Sequence, residues 1–356
     1  MRTSEAWVEL ALKTVRCNQK ELARHLGVSA TQISKWKNGE YMSDDMEKKF
    51  CALLKVDDVH PEFVLWAGSF ADAAKWDQLI HRLADDAEFA AESNYEIYGL
   101  NDDLGLLCLR VTKTLSDMEV EPPRAFPKEL DAYFSGSDTK PNKLGAQDDD
   151  DASDEDVDAL HKLLDKNPYT ALIREIFASL TGVWAFYAGY VESLLNDDEL
   201  NFEHDLISDF EWCLMDLAAS KLEVNNTFAR GFPQFRLRTR KQYQEWLTTI
   251  KDRVFRAGVP LRAELQELLS DDPEELDHSA EAEAWGVNET RLHPDVYMNE
   301  LLVGMRIIHQ VLPEILKKLQ IDFKLDGEAL CTEAVLTGLI SDRDLMPTVN
   351  TDGTED

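Results

Sequence analysis

Between Gln19 and Gly39 the chain reads QKELARHLGVSATQISKWKNG, and small and apolar residues recur there at spacings suited to two short helices locked across a tight turn. Ala23 stands where the helices would cross, Gly27 in the turn, and Leu22, Leu26, Val28, Ile33 and Trp36 can close the contact. Such packing leaves methyl, hydroxyl, amide and ammonium groups on the second helix, at Ala30, Thr31, Gln32, Ser34, Lys35 and Lys37, to meet a partner. Their chemistry is recognition by hydrogen bonds and apolar touch.

These residues closely resemble the lambda-repressor-like (Cro/repressor, XRE-type) helix-turn-helix family. Gln19, Leu22, Ala23, Gly27, Val28, Ser29, Ile33, Ser34, Trp36 and Gly39 match its pattern. The likeness extends more weakly through Leu53, Leu54 and the segment 56–66, and ends near residue 68. It implies a five-helix DNA-binding domain whose recognition helix enters the major groove N-terminus first. Ala30, Thr31 and Lys35 then meet base edges: Lys35 can donate to guanine O6 and N7, and the two methyl groups suit a thymine methyl. Gln32 and Ser34 are the next candidates for bases. Asn18, Gln19 and Asn38 sit where the family holds phosphates, Lys37 adds charge beside them, and the N-terminus of the first helix adds its partial positive charge. Members usually dimerise to match a two-fold operator. Some use the same motif only to bind proteins, and this sequence has few cations there: Lys35 and Lys37 on the second helix, Lys20 and Arg24 on the first.

Five helices fit the segment before Gly68, near 5–16, 19–26, 30–38, 43–55 and 60–67, with Gly27, Gly39 and Gly68 as stops. A further helix fits 71–91, with Ala74, Leu79, Ile80, Leu83 and Ala87 on one face. Residues 106–115 read equally as a strand or a short helix, and Pro122, Pro123 and Pro127 break the chain after it. The stretch 135–158 holds eight acids in the eleven positions from Asp148 to Asp158 and reads as a disordered linker. Beyond it three helical stripes stand out. Ile173, Ile176, Phe177, Leu180, Trp184, Tyr187, Val191 and Leu194 form the first, and Leu206, Phe210, Cys213, Leu214, Leu217 and Leu222 the second. Val296, Leu301, Met305, Ile308, Leu312, Ile315 and Leu319 form the third, broken or kinked at Pro313. Gly182 and Gly189 on the first stripe would let another helix approach, which leaves a dimer interface open there.

The fold class is therefore mainly α: an N-terminal five-helix domain followed by an acidic, bundle-like helical region. The division reads 1–68 for DNA binding, 69–134 as a helical connection, 135–158 as linker, 159–340 as a bundle for oligomerisation, effector or partner binding, and 341–356 as a tail.

Charge divides the chain in the same place. Over 356 residues the formal charge is −32, yet residues 1–55 carry ten Lys and Arg against seven Asp and Glu. So acidic a body repels nucleic acid at long range, and any contact with DNA must come from a locally basic surface. One other basic stretch exists: residues 228–262 hold nine Lys and Arg against Glu245 and Asp252. Its alternation Arg236, Arg238, Arg240, followed by Lys241 and flanked by Phe232, Phe235 and Tyr243, could track a phosphate backbone, and equally could neutralise neighbouring acidic helices or receive the Asp148–Asp158 run.

No phosphate-binding loop, nucleophile elbow or dinucleotide fingerprint occurs, so no enzymatic activity and no cofactor are expected. The eight histidines show no ligand spacing and the five cysteines no C-x-x-C pair, so no metal is expected and the thiols read as free, in a reducing cytoplasm. The uncharged stretch from Ile176 to Val191 is shorter than a membrane span and includes Ser179 and Thr181. MRTSEAWVELALKTVR lacks a signal-peptide core. The expected protein is a cytoplasmic, dimeric, sequence-specific regulator of prokaryotic or phage type acting on double-stranded DNA. The alternative is an antitoxin-like or DNA-mimicking protein whose acidic helical region captures a protein partner.

Overall fold

The computed structural model describes residues 3–56, 60–91, 95–134, 154–196, 200, 202–257, 263–270, 272–286 and 294–319. Among these, fourteen helices and no strands occur, with one isolated antiparallel bridge between Val120 and Ala229. Residues Met1–Val296 form one compact unit and Tyr297–Asp356 a second.

The chain opens with α1 (Thr3–Val15), α2 (Gln19–Leu26), α3 (Ala30–Lys37), α4 (Asp44–Leu54) and α5 (Pro61–Ala67), within two residues of the helices read from the sequence. Their apolar residues meet in one core, where Trp7 and Trp36 flank Phe50 at ring distances of 6.0 and 6.2 Å. α6 (Phe70–Ala90) starts from the Ser69 cap and buries Ala73, Trp76, Leu79, Ile80, Leu83 and Ala84. Its buried face is turned slightly from the expected one: Ala74 is only half-buried, while Ala73 and Trp76 lead. Packing continues without interruption across Gly68, since Trp66 on α5 meets Trp76 edge-on at 5.2 Å and Tyr169 at 6.3 Å.

Residues 107–117 resolve the ambiguity between strand and helix. They form α7 (Leu107–Asp117), which buries Leu107, Cys108, Val111, Thr112, Thr114 and Leu115 at helical spacing. The next helix, α8 (Asp154–Lys166), starts inside the stretch read as linker. The apolar residues Val157, Leu160, Leu163 and Leu164 recur at helical spacing behind the acids, and Leu160 and Leu164 are buried. Residues 135–153 of that linker, and the tail from 341, lie outside the described residues.

α9 (Pro168–Tyr190) is the centre of the larger core. Asn167 caps it, and its buried residues lie all round the helix, from Leu172 and Ile173 to Phe186, Tyr187 and Tyr190. A helix apolar on every side needs neighbours on every side. It packs against α6, α8, α11 (His204–Ala219) and α13 (Pro273–Ala284), and the short α10 (Glu192–Leu195) follows it.

α13 bears on the expectation for Gly182 and Gly189. Its sequence, PEELDHSAEAEA, carries no apolar stripe, yet Leu276 and Ala280 are fully buried against α9. It comes so close that a Cβ on Gly182 would collide with the Pro273 backbone carbonyl, and one on Gly189 would lie 3.6 Å from the Glu283 side chain. The close approach these glycines permit is thus filled from within the chain and not by a second copy. The third stripe forms α14 (Pro294–Lys318), most of which belongs to the second compact unit; Met305, Ile308 and Ile315 on it, and Leu319 just after it, are exposed.

α12 (Phe232–Ala257) packs against α11 through Phe210, which stacks on Trp246 at 3.6 Å. Four cysteines, Cys17, Cys51, Cys108 and Cys213, are free thiols among the described residues, and no described helix is long and apolar enough to cross a membrane.

Candidate nucleic-acid interface

The exposed surface of α2 and α3 is built by caps and a turn. Asn18 accepts from the backbone amides of Lys20 (3.0 Å) and Glu21 (3.1 Å), and Glu21 returns the bond by accepting from the Asn18 amide at 2.9 Å. This reciprocal pair satisfies amides that would otherwise be orphaned at the helix start. Gly27 ends α2 with φ +69°, a left-handed conformation that an L side chain resists, and the Val28 amide then donates to the Ala23 carbonyl at 2.9 Å. Two residues later the Ser29 hydroxyl caps α3 by accepting from the Gln32 amide at 3.1 Å.

Helical periodicity then sorts the side chains. Leu22, Ala23 and Leu26 on α2 and Ile33 and Trp36 on α3 are buried, and Val28 is half-buried against them. Trp36 is pinned twice: its indole donates to the Tyr41 carbonyl at 3.2 Å, and its own carbonyl accepts from the Ser4 hydroxyl at 3.2 Å. Of the residues expected in the helix-turn-helix core, Gly27 in the turn is exposed, and the other six are buried or packed against the core. Ala30, Thr31, Ser34, Lys35, Lys37 and Asn38 are exposed, as is Asn18, and Gln32 and Gln19 are half-buried. Ala30, Thr31, Ser34 and Lys35 follow one another at positions that share one side of α3, with Lys20 and Arg24 exposed on α2.

Two details qualify the residue roles. Asn18 spends its carbonyl oxygen on the α2 cap, so only its amide nitrogen remains to reach a phosphate. Lys35 pairs with Glu40 at 3.3 Å, both about half exposed at 50% and 53%. An exposed pair of this kind is worth about 0–1 kcal/mol, so a better acceptor can draw the ammonium away. Tyr41 carries no signal in the sequence motif: it follows α3 and is 84% exposed, an aromatic hydroxyl beside the same surface.

The second basic stretch has a different geometry from the alternating track read in the sequence. On a helix, residues two apart point about 200° apart, so Arg236, Arg238 and Arg240 cannot line one edge. Arg238 reaches Asp117 at 3.2 Å, and Lys241 pairs with Glu245 at 3.5 Å. Arg236 and Arg240 stand instead beside Lys221, which is buried and donates to the carbonyls of Leu268 (2.6 Å) and Ser270. Burial first, and then the two guanidinium groups, push the Lys221 ammonium down to about 7. Three cations converge on one spot, which no spacing in the sequence signals.

Among protein families, curated proteins and solved structures, none matches this chain.

Proposed function

We propose that the protein is a sequence-specific regulator that binds double-stranded DNA with α3 in the major groove, as the resemblance to lambda-repressor-like helix-turn-helix proteins implies. The observation that carries this reading is the sorting of α3: Ile33 and Trp36 inward, Ala30, Thr31, Ser34 and Lys35 outward on one side, with a capped α2 behind them. A helix held this way presents its first turn and the next to base edges. The exposed polar groups there fit direct readout, and Asn38, Lys37 and Gln19 fit backbone contacts, which fix register without carrying sequence information.

Dimerisation is part of the proposal, and α14 supports it. Met298, Leu301, Met305, Ile308, Leu312, Ile315 and Leu319 recur at alternating steps of three and four. That is the seven-residue repeat by which a helix pairs with a second copy of itself. The exposure of Met305, Ile308, Ile315 and Leu319 within one chain is what such a seam requires.

A second reading has one observation in its favour. The charge of −32 and the Lys35–Glu40 pair leave the α2–α3 surface weakly positive, as suits a protein that captures a basic partner through its acidic body. Selection of bound duplexes from random DNA, followed by a footprint on the DNA flanking the gene, separates the two. Enrichment of a two-fold symmetric site supports the regulator. Absence of retardation even at low salt, with a stoichiometric protein partner in its place, overturns it.

A further inference from the structure

Twenty-one residues of the chain separate His81 on α6 from Asp102, and six more lead to Cys108 in the first turn of α7. Packing of α6 against α7 brings them together with Asp77, one helical turn before His81. One ligand atom from each of Asp77, His81 and Cys108 lies within 4.8 Å of the other two. The Cys108 Sγ is 3.4 Å from Asp77 Oδ1, and His81 Nδ1 is 3.7 Å from Asp77 Oδ2. In a tetrahedral zinc site, with bonds of about 2.3 Å to sulfur and 2.0 Å to nitrogen and oxygen, the S···O and N···O separations are about 3.5 and 3.3 Å. Both separations lie within about 0.5 Å of these values but run to different oxygens of Asp77, so a turn of that carboxylate is needed to bring one oxygen to both partners.

The surroundings match as well. His81 Nε2 lies 3.0 Å from Asp102 Oδ2, while the other oxygen of Asp102 accepts from the Leu107 amide at 2.8 Å. A ligating histidine characteristically donates its second ring N–H to a carboxylate, which fixes its tautomer and raises its basicity. Asp102 is held in place to do this, tied to the first amide of α7. Cys108 is 5% exposed in the first turn of α7, and burial together with the Asp77 and Asp102 carboxylates holds its thiol well above the ordinary cysteine range, so it keeps its proton until a cation displaces it. As a neutral thiol it donates to the Asp77 carboxylate at 3.4 Å, and a cation would take the place of that proton between sulfur and oxygen. The more exposed side chains of Asp77 and His81 leave a path from solvent.

We infer that Asp77, His81 and Cys108 bind a thiophilic divalent cation of the zinc type, with Asp102 orienting His81 and the fourth position open. On binding, the thiol proton of Cys108 and the Nδ1 proton now shared with the Asp77 carbonyl oxygen at 2.8 Å both leave, and the imidazole turns off that carbonyl so that Nδ1 faces the ion. A carboxylate, a thiolate and a neutral imidazole then balance a charge of +2. No short motif announces the set, because only the Asp77/His81 pair is local.

The test uses the full chain, treated with chelator, reduced and titrated with cobalt(II) chloride. One equivalent should bind with a thiolate-to-cobalt charge-transfer band in the near ultraviolet, and zinc chloride should bleach it. Cys108→Ser should abolish the band, and His81→Gln should lower its intensity at the same cobalt concentration. Asp102→Asn should keep the band and weaken affinity about 10- to 100-fold. Cys213→Ser, which alters another free thiol, should change nothing and guards against a general effect of cysteine loss on folding. No band in the wild-type chain at millimolar cobalt, or a band that survives Cys108→Ser, overturns the site and leaves an ionic network of His81 with its two aspartates.

Discussion

Replacing Lys221 by methionine should change how stability depends on pH. In the fold Lys221 is buried, its ammonium flanked by Arg236 and Arg240 and opposed by Asp272, and its proton is held only to about pH 7 instead of the ordinary 10.5. Between those values the unfolded chain carries a proton that the folded chain lacks, so the wild-type protein should gain stability as pH rises. Below about 7 both states are protonated and the fold bears the whole cost of the buried charge. Above about 10.5 the cost is gone. One proton of difference corresponds to about 1.4 kcal/mol per pH unit, so from pH 7 to 8.5 the contribution of Lys221 is about 1–2 kcal/mol. His81 works the other way. Its bond to Asp102 raises it to about 9, so its stabilising effect declines over the same range. It is common to both proteins and cancels in their difference. Chemical denaturation of wild type and Lys221→Met at pH 6.5, 7, 7.5, 8 and 8.5, at constant salt, measures that difference. Methionine keeps the length of the chain and leaves the Leu268 and Ser270 carbonyls without their donor, a loss that does not vary with pH. The stability of wild type relative to the variant should climb by the stated amount. Parallel pH profiles would refute the reasoning, because they would mean that Lys221 keeps its proton throughout.

Lys35→Ala should cost about 1–3 kcal/mol per half-site on the preferred operator and relax preference at one base pair, whereas Gln19→Ala should weaken all sequences alike; binding to an operator and its single-base substitutions reads both. Loss of affinity that is uniform for Lys35→Ala, or absent, contradicts the base-reading role. Ile308→Asp should convert dimer to monomer in sedimentation equilibrium and lower operator affinity, while leaving helical content nearly unchanged. Gly182→Ala should lower stability by about 1–3 kcal/mol in thermal denaturation, because the new methyl meets the Pro273 backbone and no flexible side chain can yield. An unchanged midpoint would mean that α13 moves freely off α9.

The helices from Thr3 to Ala67 are legible because local signals agree there: Gly27, Gly39 and Gly68 as stops, and apolar residues at a single period. The inward and outward residues of α3 follow from the same period. Where one signal must stand alone, reading fails. The acids before Val157 outweigh a helix whose apolar face is only Leu160, Leu163 and Leu164. α13 hides behind Ala and Glu because only Leu276 and Ala280 of it are buried, where Gly182 of α9 lets its backbone come close. The third stripe is a true amphipathic pattern, but periodicity states that a face is apolar and not which chain covers it. The Arg236, Arg238, Arg240 alternation suggests an extended track, and α12 disperses it by its period. Lys221 and the Asp77, His81, Cys108 group depend on contacts between elements far apart in sequence, and no window of residues contains them.

The aromatic joint of Trp66, Trp76, Tyr169 and Phe126 bears on how this chain can be cut and recombined. The first five helices are not a cassette that ends at Gly68. A chimera joined at that glycine leaves one face of Trp66 against water and strips Trp76 and Tyr169 of a neighbour, so both halves of the graft lose the surface on which they close. Exchange of this segment with another protein succeeds only if α6 and the start of α9 travel with it, and heat should melt the two parts in a single calorimetric transition rather than in succession.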